Sequence, residues 1–98
     1  MKLIPGKFYR VQFTNWLGGE DDYVAEYCGV EDGEFAHCDQ CEICGKDGHA
    51  RNHQFNYVWG AKSIDEMKAE MDQGRYQTFY IGTSCIKKCI IEEVEHEN

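Results

Sequence analysis

Six cysteines occur in this chain of 98 residues, and four of them stand in two close pairs. Cys41-Glu42-Ile43-Cys44 runs straight into Gly45-Lys46, and Cys85-Ile86-Lys87-Lys88-Cys89 follows nearer the C-terminus. Thiolates are soft ligands suited to zinc, and four of them complete a closed tetrahedral site, where the metal holds structure and does no chemistry. The spacing Cys-x-x-Cys lets both sulfurs face one ion, and a glycine behind them lets the backbone turn sharply. One structural Zn2+ per chain, on Cys41, Cys44, Cys85 and Cys89, is therefore the expected cofactor. Cys85 and Cys89 are four apart, a spacing that shares one face of a helix. His53 or His49 is the alternative fourth ligand. Cys38-x-x-Cys41 competes in register with Cys41-x-x-Cys44, and Gly45-Lys46 favours the latter. Cys28, His37, Cys38 and His49 are the material for a second site, although each also reads as an ordinary strand or strand-end residue.

The length fits a single domain, 1–98, whose core is small enough for a metal or disulfides to matter. No apolar leader core follows Met1, and no run approaches a membrane span, so a cytoplasmic location is expected. In a reducing compartment, paired cysteines read as metal sites more often than as disulfides. The formal net charge is −8. Counterion release needs a basic surface, so direct nucleic-acid binding is not expected. Such a balance keeps a protein soluble and self-repelling, and it also suits docking on a basic partner.

These residues need elements to position them. Tyr9, Val11 and Phe13 alternate in one strand, and Tyr23 to Cys28 alternate in a second. Asn15 to Asp22, with Gly18-Gly19, reads as a loop, and Asp32-Gly33 predicts a hairpin leading into Glu34-Phe35-Ala36-His37. Residues 1–37 thus form a β-rich part, and 38–98 a zinc module with a helix insert. Gln54 to Trp59 is a further strand with Phe55, Tyr57 and Trp59 on one face. Ser63-Ile64-Asp65-Glu66 is a capping box, opening a helix that Gly74 closes. Tyr76 to Ile81 returns to strand. Ile86, Cys89, Ile90 and Val94 recur at helical spacing and predict a second helix over 85–95. A knuckle, then strands, then ligands in the first turn of a helix is the order of a treble clef. The expected fold is α+β: a small antiparallel sheet, a treble-clef-like zinc module and two short helices.

Cys41-Glu42-Ile43-Cys44-Gly45-Lys46, His53-Gln54-Phe55-Asn56, Ile81-Gly82-Thr83-Ser84-Cys85-Ile86 and the opening Pro5-Gly6-Lys7-Phe8-Tyr9-Arg10-Val11 resemble small zinc-finger proteins of bacteriophages and prophages. The chain departs from that pattern in the insert around 63–73 and in its extra cysteines. The resemblance implies a phage or mobile-element accessory protein with a structural zinc, acting in the host cytoplasm on a host protein.

Three functions compete. The first is a non-enzymatic interaction protein, for example a counter-defence inhibitor that occludes a basic nucleic-acid-binding surface. Its candidate partner-binding residues are Trp16, Glu20, Asp21, Asp22, Glu31, Asp32 and Glu34. The second is a nuclease, since the knuckle also resembles the structural finger of His-Asn-His endonucleases. His49 and His53 sit on the right side for a general base, but no Asp-His pair follows and no helix after the hairpin carries an Asn/His pair. The third is a nucleic-acid-binding finger, with Arg51, Asn52, His53, Lys87 and Lys88 as a local patch beside Tyr57 or Trp59. The first is favoured, and no catalytic residue is assigned.

Overall fold

Alternation writes the first strand, Phe8–Thr14 (β1). Tyr9, Val11 and Phe13 are buried on one face, while Arg10, Gln12 and Thr14 face the other. The structure is a computed structural model describing residues 2–47 and 50–94. Its other strands are Glu20–Asp32 (β2), Arg51–Tyr57 (β3), Gln77–Gly82 (β4) and Ile90–Val94 (β5). They form one antiparallel sheet in the order β4-β3-β2-β1-β5.

Register follows the apolar residues. Val11 lies opposite Tyr23 on one side and Ile91 on the other, and Tyr27, Phe55 and Phe79 form a row across three strands. Sliding any strand by one residue would turn these rings to the wrong face. Phe55 stacks on Phe79 with centroids 5.0 Å apart, and Tyr23 meets Tyr57 at 4.6 Å. The main core is this aromatic layer with Tyr9, Val11, Ala25 and Ile81, and two cysteines, Cys41 and Cys85, are buried in it.

The single α-helix among the described residues, Ile64–Asp72 (α1), begins and ends on local signals. Ser63 Oγ accepts from the Glu66 amide, and the Glu66 carboxylate accepts from the Lys62 amide. At the other end the amides of Gly74 and Arg75 donate to the carbonyls of Met71 and Glu70, a Schellman closure with Gly74 at φ +75°. Ile64 and Met67 pack on Phe8 and Val94 in a second, smaller core.

Three expectations are corrected. The helix over 85–95 is absent: a short 3-10 turn, Ile86–Lys88, leads directly into β5. The helical spacing was real, but Ile90, Ile91 and Val94 favour extended backbone, and β1 offers them a ladder. Of the two expected helices only α1 is therefore an α-helix. Asp32-Gly33 makes no hairpin. Gly33 has φ +105°, ψ −159°, a glycine conformation far from a two-residue hairpin turn, and the chain enters a 3-10 turn over Glu34–Cys38. Trp59 lies beyond the end of β3 and is 79% exposed, so it does not join Phe55 and Tyr57.

The polar face carries a buried polar contact. Asn52, fully buried, donates its side-chain amide to the Ala36 carbonyl and so holds the first 3-10 turn against β3. Beside it, Glu31 Oε2 is buried with no donor, and its neighbour is the Asp39 carboxylate. Two carboxylates bond only by sharing a proton. Hydrogen bonding to Asp39, then burial, therefore push the Glu31 carboxyl above its usual range. In the interval between the ordinary and raised values the folded chain binds more protons, so this pair's contribution falls as pH rises through it. Glu31→Gln can donate to Asp39 at every pH. It should raise Tm at pH 7.5 by about 2–4 °C, equivalent to about 0.5 kcal/mol. Thermal melts of wild type and variant from pH 4.5 to 7.5 should show the gap widening as pH rises above the ordinary carboxylate range.

Candidate metal centre

The site is built where two connections meet. Residues after Cys38 pass along the outer side of β4: Cys41 bridges Tyr80, and the Glu42 amide donates to the Tyr80 carbonyl. The chain then reverses tightly. Gly45 N–H bonds the Cys41 carbonyl at 2.8 Å, and Cys41 N–H bonds the Lys46 carbonyl at 3.2 Å. This reversal falls where the sequence predicts a knuckle. The second connection, residues 83–89, leaves β4 at one edge of the sheet and reaches β5 at the other. It must therefore cross the sheet, and Cys85, Ile86 and Cys89 pack against the aromatic core as it does so.

Cys41, Cys44 and Cys85 place their sulfurs within 4.8 Å of one another, a group that could hold a metal ion. Cys41 and Cys85 are buried, and Cys44 is half-buried. Backbone fixes them: Gly82 N–H donates to Cys41 Sγ at 3.3 Å, and Cys85 N–H bonds the Gly82 carbonyl at 2.9 Å. Burial alone would keep the Cys41 thiol protonated, but the amides of Cys44, Gly82 and Ile43 outweigh it and lower its pKa. A sulfur collecting several amides is prepared to be a thiolate. Burial, then the neighbouring Cys41, push the Cys85 thiol up, so among the bare thiols one proton is lost readily and the next less so. A cation would remove that conflict, and the donor set, all sulfur, fits a thiophilic metal.

Cys89 stands outside the three-sulfur group. It follows the 3-10 turn, its amide bonds the Ile86 carbonyl at 3.1 Å, and it packs on the same core. Burial, then the proximity of Cys41 and Cys85, raise its thiol to about 12. His53 is also outside the group; its Nδ1 is 2.7 Å from the Tyr27 hydroxyl, and burial lowers its pKa. His49 lies outside the described residues. Cys28, His37 and Cys38 are exposed and gather with no third ligand among the described residues; the Cys28 thiol donates instead to the Glu26 carbonyl.

The acidic residues divide. Glu20, Asp21 and Asp22 sit at the start of β2 and Glu31, Asp32 and Glu34 at or just past its end, separated by roughly 30 Å of strand. Asp22 takes two bonds from Arg10, at 3.0 and 2.6 Å, Asp32 pairs with Arg51, and Glu20 accepts from Thr14. Asp21 accepts from Asn15 and Tyr23. The patch of Arg51, Asn52 and His53 does not assemble, because Asn52 is buried and the other two are engaged. Trp16 belongs to the knuckle: its amide donates to the Glu42 carbonyl at 3.0 Å, and its ring lies against Gly45. The sequence marked Trp16 and Gly45 separately, and their contact was not legible from either.

No family model, curated protein or solved structure matches the chain.

Gly45 has φ +71°, and a Cβ there would come within 2.5 Å of Trp16 Cγ. Gly45→Ala should cost about 2–4 kcal/mol, from left-handed backbone plus overpacking. In a Trp16→Gly background, which removes the ring and also the Trp16 Cβ that would stand 2.9 Å away, the cost should drop to the backbone part, about 1–2 kcal/mol. Urea denaturation of the four proteins reads the difference directly.

Proposed function

We propose that this chain is a zinc-stapled, non-enzymatic accessory domain that works by binding a protein partner. The observation that carries the reading is the convergence of the knuckle and the edge-to-edge connection on one cluster of sulfurs, with the β1–β2 turn clamped to that knuckle. In this reading one zinc is held by Cys41, Cys44 and Cys85, and Cys89 closes the shell. The second pair lies in a 3-10 turn, so the module joins two knuckle-like turns across a sheet, in place of the helix-borne second pair of a treble clef. Four sulfurs leave no open position for substrate, which makes the metal structural.

The clamp presents a surface. Trp16 is 49% and Leu17 75% exposed at the tip of the β1–β2 turn, beside Asp21 and the half-buried Glu42. An aromatic anchor rimmed by carboxylates suits a partner with a basic, partly apolar surface. A host protein that normally holds nucleic acid fits this description, and the phage resemblance of the sequence supports it. Glu31, Asp32 and Glu34, at the far end of β2, fall outside this surface.

Native mass spectrometry of anaerobically purified protein should give one zinc per chain, with loss of fold on chelation. Structural zinc contributes about 10–16 kcal/mol in small fingers, so Cys85→Ser should leave the chain unfolded at 25 °C. Cys89→Ser tests the fourth ligand: zinc affinity should fall sharply if Cys89 ligates and stay unchanged if it only packs. For the partner, affinity capture from host lysate should be lost with Trp16→Ala and weakened by the triple change Glu20→Gln, Asp21→Asn, Asp22→Asn. Capture that survives both changes would remove the β1–β2 turn from the reading.

A further inference from the structure

The two edges of the sheet are treated differently. On β4 the knuckle lies against Tyr80 through a backbone bridge and a hydrogen bond, so that edge is partly sealed. On β5 no described strand pairs with the outer side. A row of free amides and carbonyls is a template for an added strand. Proteins commonly blunt such an edge with charge, and Glu92 and Glu93 could serve only that purpose. Two features distinguish this edge. A hollow of about 350 Å³ is lined by Leu3, Ile86, Lys87, Cys89 and Ile91. Ile90, the neighbour of Ile91 on the other face of the strand, is 63% exposed. Successive residues of β5 thus offer apolar contacts on both faces, as needed to receive alternate side chains of an incoming strand.

Charge selects the occupant. Pairing with a second copy at full overlap in antiparallel register would set Glu92 against Glu92, between two chains each of net charge −8. An extended segment with apolar residues opposite Ile90-Ile91 and Lys or Arg opposite Glu92-Glu93 has no such penalty. Lys7 is 3.3 Å from Glu93, and Arg10 neighbours Glu92 while committed to Asp22, so these carboxylates are only partly compensated from within.

We propose that the outer edge of β5 is a docking site for an extended, basic-and-apolar segment of a protein partner, bound by strand addition. The inference rests on the protein-binding reading above and names the backbone element that does the binding.

The test uses the zinc-loaded full chain and a short synthetic peptide of alternating lysine and valine. A second peptide has the same sequence with every backbone amide N-methylated, which keeps the charge and removes the amide donors from both edges. Calorimetry should show the first peptide binding at least about tenfold more tightly than the second. Hydrogen exchange should show new protection in β5. The double change Glu92→Lys, Glu93→Lys should weaken binding at least about tenfold while Tm stays near wild type. Equal binding of both peptides would mean general charge attraction and would overturn the proposal. So would binding of neither, or formation of a dimer without peptide. Capture of a host partner that persists in the double variant would remove β5 and leave the protein-binding reading standing.

Discussion

The fold depends on one connection, the segment 83–89 that carries the chain from one edge of the sheet to the other. A crossing of this kind lies over a sheet face, where its backbone groups need partners and its side chains must cover the core. Here it has a 3-10 turn, a few short bonds to Gly82, Cys85 and Ile86, and at its start the Thr83 amide and hydroxyl donating to the Arg51 carbonyl. The sulfur of Cys85 meets those of Cys41 and Cys44, and on the zinc reading that meeting ties the connection down. Domains of this size have net stabilities of about 5–15 kcal/mol, the same order as the binding energy of a structural zinc. On the zinc reading, the metal therefore decides whether Tyr9, Val11, Phe55 and Ile81 have a lid.

Charge is arranged to tolerate this economy. Asp22 and Glu20 on the polar face are bonded locally to Arg10, Gln12 and Thr14, and Asp32 pairs with Arg51 at the far end of β2. Surface pairs of this kind are individually worth little, about 0–1 kcal/mol. Their effect is to neutralise part of the excess negative charge locally, while Glu42 within the knuckle and Asp21 near it stay close to the sulfurs. A cluster of thiolates is itself anionic, and further carboxylates beside it would oppose their formation.

What was legible in the sequence was local. Ser63, Glu66 and Gly74 act within one helical turn of themselves, and α1 begins and ends where they stand. Cys41-x-x-Cys44-Gly45 likewise encodes its own reversal. The strands Tyr9–Phe13 and Tyr23–Tyr27 were legible because their apolar period matches the pleat. The segment after Cys85 was not: Ile86, Cys89, Ile90 and Val94 satisfy a helical period in isolation, and only β1, far away in sequence, makes extended backbone the better state for Ile90–Val94. Asp32-Gly33 failed for a related reason. A hairpin signal requires a partner strand immediately after it, whereas β2 pairs with β3 across the whole knuckle. The carboxylates of β2 were read as one surface because sequence proximity hides how far an extended strand carries its ends apart.

The same knuckle that joins the sulfurs also decides which parts of the surface are available. By lying along β4 it occupies one sheet edge, and by bonding Trp16 through Glu42 it fixes the β1–β2 turn, whose ring then rests on the one residue in the knuckle that has no side chain. The residues left exposed by this arrangement, Leu17 and half of Trp16 at the turn and Ile90 on the open edge, are held by elements that converge on Cys41, Cys44 and Cys85. Release of the staple would loosen the turn and the crossover that leads into β5 together. On the zinc-stapled, partner-binding reading, such a surface depends on its metal, so zinc availability would control recognition.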